Sequence, residues 1–146
     1  MSGKPEGFEF HEHTADVYIA AYGRNLAEAF ENAALAMFET MTDVNTVKPE
    51  IREDVEVRGE DKHALLYSWL EELLVRFELS GKLYSRFDVK EIKETEDGYE
   101  LKAIIYGEPF DPDRHRQKVG VKAITYHRME IEETSKGVTL RFILDI

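Results

Sequence analysis

Asp145 and Ile146 follow directly on an alternating apolar run, residues 138–144, so a side-chain carboxylate stands beside the C-terminal carboxylate at the end of what reads as a strand. Chain ends are ordinarily loose, and an end joined to a sheet is an end held in place. Near the other end, Glu12-His13-Thr14-Ala15-Asp16 gathers imidazole and oxygen donors. His13 with Asp16 suits a transition metal, and carboxylates alone suit calcium, magnesium or manganese. The same residue types also serve as turn formers, with Thr14 and Asp16 satisfying backbone donors and His13 packing at a sheet edge. If the fold brings the two ends together, Asp16, Asp145 and the carboxylate of Ile146 converge and need a cation to coexist.

Two other groups carry chemistry. In Val121-Lys122-Ala123-Ile124-Thr125-Tyr126-His127, strand alternation puts Lys122, Ile124 and Tyr126 on one face and Val121, Ala123, Thr125 and His127 on the other. Lys122 and His127 then share a face only across a bulge. A lysine beside the carboxylates would neutralise them or hold a phosphate, and otherwise it is a solvated strand residue. Arg114-His115-Arg116-Gln117-Lys118 is the one basic cluster of the chain and falls in a loop marked by Pro109 and Pro112 just before it. Loops concentrate partner contacts, so Arg114, His115, Arg116 and Lys118 are candidates for touching a partner, the alternative being loop solubility. Asp111-Pro112-Asp113 is too common a turn pattern to count as a metal motif. The chain has no Gly-rich phosphate loop, no His-Glu-x-x-His and no Gly-x-Ser-x-Gly. Its aromatics are scattered and form no RNA-stacking platform.

The elements that must position these groups read as follows. A short extended segment at residues 8–11 precedes a strand at 16–23. Asn25 caps a helix over 26–41, with Glu28 completing a capping-box pattern and Ala29, Phe30, Ala33, Ala34, Met37, Phe38 and Met41 at helical spacing. A strand at 51–59 leads to Asp61, the cap of a second helix that ends by Gly81 and carries Leu65, Leu66, Trp69, Leu70, Leu73, Leu74 and Phe77 as its apolar stripe. Strands at 87–94 and 99–106 flank the hairpin signal Glu96-Asp97-Gly98. After a loop over 107–120, strands at 121–133 and 138–146 close the order. This is α+β: a single domain, residues 1–146 with 1–7 as a flexible lead-in, whose mixed or mainly antiparallel sheet carries two amphipathic helices.

Composition limits the function classes. The net charge of −11 repels phosphates on average and argues against a free-standing nucleic-acid binder. It favours a protein partner, a cation or a basic surface. The absence of cysteine removes disulfides and thiolate chemistry and fits a cytoplasmic protein. No apolar leader is readable at the start, and no stretch approaches the roughly 18 apolar residues of a membrane span.

Taken together, Glu12-His13-Thr14-Ala15-Asp16-Val17, Met41-Thr42-Asp43, Leu65-Leu66-Tyr67-Ser68-Trp69-Leu70, the block from Val121 to His127 and the closing Leu144-Asp145-Ile146 resemble the archease family, in order and over nearly the whole chain. The resemblance implies a non-catalytic activator of the tRNA-splicing ligase. That ligase joins a 3′-phosphate or 2′,3′-cyclic phosphate RNA end to a 5′-hydroxyl end, uses GTP and manganese, and passes through a histidine-guanylate intermediate. An archease promotes guanylylation and multiple turnover, and tRNA is met only indirectly. Asp16 and Asp145 match the family's acidic positions, which line a metal-binding pocket, and Lys122 matches its lysine. Two rival functions remain open: a chaperone-like modulator of a tRNA methyltransferase, and a metal-dependent phosphate-ester hydrolase.

Overall fold

The computed structural model describes residues 7–11 and 16–146. The expected lead-in, Gly7 apart, and residues 12–15, His13 among them, lie outside the described residues. Seven strands and two α-helices follow in the order β1 (Phe8–His11), β2 (Asp16–Gly23), α1 (Leu26–Met41), β3 (Ile51–Gly59), α2 (Lys62–Ser80), β4 (Lys82–Thr95), β5 (Gly98–Pro109), β6 (Ala123–Thr134) and β7 (Gly137–Asp145), with one 3-10 turn at Val44–Thr46.

The strands form two antiparallel sheets: a four-stranded one in the order β1-β2-β7-β6 and a three-stranded one in the order β3-β5-β4. The α+β class holds, and the strands divide between two sheets where the alternation suggested one. A period of two tells which residues share a face, not which strands share hydrogen bonds. The helices join the sheets. α1 lies against β2 and β7 of the larger sheet and β4 of the smaller, and α2 against β3 and β5 of the smaller and β6 of the larger. One continuous core results, running from Ile19 and Phe142 through both helices to Leu101 and Ile105.

Local chemistry fixes both helices. The Asn25 side chain accepts from the Glu28 amide at 2.9 Å, and Glu28 reaches back to the Arg24 amide at 2.7 Å, one residue short of the cap itself. Asp61 caps α2 by accepting from the Ala64 amide at 2.8 Å. Gly81, at φ 73°, ends α2 in the left-handed region that a side chain disfavours, and its amide donates to the Phe77 carbonyl at 2.7 Å. The chain turns straight into β4, which begins earlier than the alternation indicates. A register shift between Tyr84 and Arg86 hides its start, because Leu83 and Tyr84 are both buried.

Ala29, Ala33, Ala34 and Ala36 of α1 are all fully buried, which lets this helix approach its neighbours closely. At the centre, the Trp69 indole of α2 donates to the Phe30 carbonyl of α1 at 2.9 Å, so the largest core side chain also meets its polar requirement. Ala33→Leu inserts three heavy atoms where there is no space. Urea denaturation should show a loss of about 1–3 kcal/mol, with helical circular dichroism retained in the folded baseline.

Candidate functional site at the strand ends

Strand register brings the two acids together. Leu140, Phe142 and Leu144 of β7 are buried in the core, so Arg141, Ile143 and Asp145 stand on the outer face. Asp16 of β2 lies directly opposite Asp145, and Ala123 of β6 lies opposite it on the other side. Opposed residues of an antiparallel pair share a face, with Cβ atoms about 4.5–5.5 Å apart. Oδ1 of Asp16 is shielded from solvent and Asp145 is exposed. The Lys122 amide donates to the Asp145 carbonyl at 2.8 Å, which ties the residue before β6 to the same strand end and leaves the lysine exposed. Ile146 follows, half-buried. Asp16, Asp145, Ile146 and Lys122 therefore meet at one tip, while His13 lies outside the described residues.

The expected alternation through His127 does not persist. Between Thr125, opposite Ile143, and Glu130, opposite Arg141, four residues of β6 face a single residue of β7. Tyr126 stacks on Tyr67 of α2, with centroids 4.4 Å apart and an interplanar angle of 6°, and Met129 enters the core. His127 is exposed, its amide donating to Thr125 Oγ1 at 3.0 Å. Arg128 sits at φ 57°, the one non-glycine residue at positive φ among the described residues, and its guanidinium carbon lies 5.1 Å from the centroid of the Tyr18 ring. A left-handed conformation at such a residue costs about 1–2 kcal/mol. Sequence reasoning missed Arg128, because no glycine or asparagine marks the bulge.

The loop that delivers Lys122 is held by a hub at Glu108. Arg114 grips this carboxylate with both terminal nitrogens, at 2.8 and 2.9 Å, and the Lys48 amide adds a bond at 2.8 Å. His115 is 1% exposed, which decides its role. Its Nδ1 accepts from the Asp111 amide at 2.8 Å, so Nε2 carries the proton and donates to Glu108 at 2.8 Å. The Arg114 bonds, aided by the Lys48 amide and His115 and opposed by burial, hold the Glu108 carboxyl down at about 2. Farther along, the Lys118 and Val119 amides donate to the carbonyls of Met41 and Thr40, at 3.0 and 3.2 Å. Lys118 Nζ meets the Glu39 carbonyl and carboxylate at 3.1 and 2.6 Å. Thr42 donates to the Arg116 carbonyl at 2.8 Å.

Of the basic cluster, Arg114, Arg116 and Lys118 are exposed and His115 is not, so the histidine of that expected partner surface lies inside the protein. His115 is buried, Arg114 and Lys118 are committed to Glu108 and Glu39, and Arg116 alone keeps its charge without an ion pair among the described residues. The charges fasten a loop to the end of α1, where carbonyls lack helical partners and a cation is favourable.

As a metal site, the tip supplies oxygen donors. No group of three or more His, Cys, Asp or Glu residues able to hold a metal occurs among the described residues. Two opposed carboxylates repel each other and suit a hard divalent cation, which is satisfied by two protein carboxylates together with water. Asp16 and Asp145 would hold it.

The profile of the Archease protein family matches residues 8–146. The chain belongs to this family. Curated archeases from Pyrococcus abyssi and Sulfurisphaera tokodaii are 53% and 50% identical to it, over 89% and 95% of this chain and 91% and 98% of their own lengths. Among solved structures, protein 1598 of Methanobacterium thermoautotrophicum is similar at TM-score 0.84 and 44% identity, covering 96% of this chain and 99% of its own. The Thermotoga maritima archease, named as a possible chaperone, shares the fold at TM-score 0.62 and 17% identity, covering 100% and 98%. No helix among the described residues is long and apolar enough to cross a membrane.

The Glu108 hub sets an acid limit. With its carboxyl at about 2 against an ordinary 4.5, Glu108 contributes stability that is fully present above pH 4.5 and is lost as pH falls from 4.5 towards 2. Glu108→Gln should be less stable than wild type at pH 7, and the gap should narrow on acidification through that window, as read by urea midpoints at each pH.

Proposed function

We propose that this chain is a non-catalytic protein activator of the 3′-phosphate/5′-hydroxyl RNA ligase used in tRNA splicing, acting in the cytoplasm through its acidic tip. The observation that carries the reading is the direct opposition of Asp16 and Asp145 across β2 and β7, with Lys122 bonded to the same strand end. The two acids hold a divalent cation, calcium, magnesium or manganese, through oxygen donors, with the Ile146 carboxylate as a further candidate oxygen ligand and the His13 imidazole as a candidate nitrogen ligand. The tip enters the ligase active site and binds the conformation competent for guanylylation more tightly than the others, which is what a ligand must do to speed a step. Docked there, Asp16 and Asp145 orient the ion and Lys122 balances the carboxylate charge.

The test adds the protein, below one equivalent, to a matched ligase with GTP and manganese and follows joined RNA. Wild type should raise ligation over many turnovers. Asp145→Ala, folded by circular dichroism, should lose the stimulation by about an order of magnitude or more, the effect of removing one charged contact to the ion or the ligase. Normal stimulation by the folded variant would falsify the role of the tip.

A second readout concerns the ion alone. In chelator, Asp145→Asn should melt no lower than wild type, since one of two repelling carboxylates is gone. Manganese at a hundredfold excess over its dissociation constant should stabilise wild type by about 2.7 kcal/mol and the variant far less.

A chaperone-like role, the name given to the Thermotoga maritima relative, is favoured by a different feature. A cavity of about 390 Å³ is lined mainly by apolar side chains, Met41, Phe77, Leu83, Phe110 and Val119 among them. On that reading, protection of a client enzyme would ignore Asp16 and Asp145 and would fall with Val119→Asp.

A further inference from the structure

Arg128 is singled out by three independent observations. The first is charge. Acids outnumber bases so far that the chain carries −11, and among the described residues every arginine except Arg116 and Arg128 has a carboxylate partner. In such a chain, an arginine outside every ion pair among the described residues has been kept away from the prevailing charge. The second is backbone. Arg128 occupies the left-handed region at φ 57°, in a bulge that contains no glycine. Strain of this kind persists where surrounding structure over-determines it, and it gathers at functional positions. The third is placement. The guanidinium lies over Tyr18, on the far side of β7 from its own strand, since β7 separates β6 from β2. Tyr18 pairs with Ile143, two residues along both strands from the Asp16–Asp145 pair and on the same face, about 7 Å at strand spacing.

The bulge therefore carries an exposed guanidinium across the outer face to the edge of the acid pair and rests it on an aromatic ring. A cation over a ring is oriented, and its outward N–H groups remain available. A planar fork of donors without a carboxylate of its own suits a phosphate, which accepts two parallel bonds. Alone, the neighbouring carboxylates would repel such an anion. A divalent cation on Asp16 and Asp145 reverses that local field, so cation and anion bind together.

We infer that the outer face beside the acid pair is a cation-dependent phosphate-binding site, in which Arg128, held over Tyr18, makes the direct contact. This rests on the tip reading above and deepens it by naming what the tip meets: a phosphate group, from a nucleotide or from an RNA end. Arg128→Gln keeps a polar side chain but shortens it and removes its charge, and Arg128→Lys keeps the charge and most of the length without the fork.

The experiment follows the Nε–Hε resonance of Arg128 while inorganic phosphate, guanosine 5′-monophosphate and uridine 3′-monophosphate are titrated in separate series, each with magnesium and each with chelator. The expected result is a saturable shift in magnesium that is lost in chelator. Arg128→Gln and Arg128→Lys, which lack that resonance, are titrated by calorimetry beside wild type: Arg128→Gln should bind about ten- to hundredfold more weakly, as loss of a hydrogen bond to a charged group requires, with Arg128→Lys between them. Tighter binding of the 5′-nucleotide identifies the nucleotide as the source, and tighter binding of the 3′-phosphate identifies the RNA end. A silent Arg128 resonance, equal binding in chelator, or wild-type affinity in a folded Arg128→Gln protein would each overturn the site. If wild type stimulates ligation while this titration is silent, the phosphate site falls and the activator reading stands. If wild type stimulates no ligase and the titration succeeds, the reverse holds.

Discussion

Asp16 faces Asp145 because β2 and β7 have one register available to them. Val17, Ile19 and Ala21 pair with Leu144, Phe142 and Leu140, and this set fills the core beneath the helices. A slip of one residue would turn these side chains outward and bring the outer-face residues in, at a loss of roughly 1.5–3 kcal/mol for each large apolar side chain exposed. Repulsion between two surface carboxylates is far smaller than that sum. The core thus dictates the placement of the acids, and the tip inherits a geometry it could not sustain by itself. β7 is bonded on both sides, so Ala123 and the Lys122 amide are placed by the same alignment.

Glu108 plays the corresponding part for the loop between β5 and β6. A carboxylate that is almost fully buried would be destabilising alone, and here it is met by a bidentate arginine, a neutral imidazole and a backbone amide. Beyond this hub, the loop supplies the end of α1 with what its own last turn lacks. That turn has no basic residue, and Lys118 arrives from the loop to fill the role. The segment leading to Lys122 is therefore a strap, in which two of three basic residues within five positions are paired with carboxylates of the fold.

Where local rules decide, the sequence was readable. The helix limits follow from Asn25, Asp61 and Gly81 together with apolar spacing, and the β4–β5 hairpin follows from Glu96-Asp97-Gly98. Asp145 at the end of an apolar strand signals a carboxylate that must stay near solvent or find a counter-charge, Asp16 stands out among the donors of Glu12 to Asp16, and the resemblance to a family implies that the two share a site. What escaped depends on pairing over long sequence separations. Division into two sheets is not encoded in a period of two. The burial of His115 depends on Glu108, which sits in a strand with nothing nearby to mark it as a hub. The bulge at residues 126–129 follows from Tyr126 meeting Tyr67 and Met129 reaching the core, and neither contact has a local signature.

The order of the strands has a consequence during synthesis. β2 is made early, and β7, its neighbour in the sheet, is made after every other element described. Until β7 emerges, one edge of β2 offers unpaired amides and carbonyls while Ile19 and Ala21 have no strand on that side, a template that invites pairing with another chain. β6 has no place in the larger sheet until the same moment. The smaller sheet has no such wait, since β3, β4 and β5 and the helix α2 that covers them are contiguous in sequence. The nascent chain should pass through a stage in which that half is formed and the half bearing the acids is not. The pairing that sets Asp16 against Asp145 is then the last to form among the described elements, and until β7 arrives Asp16 stands without the acid it faces in the finished sheet.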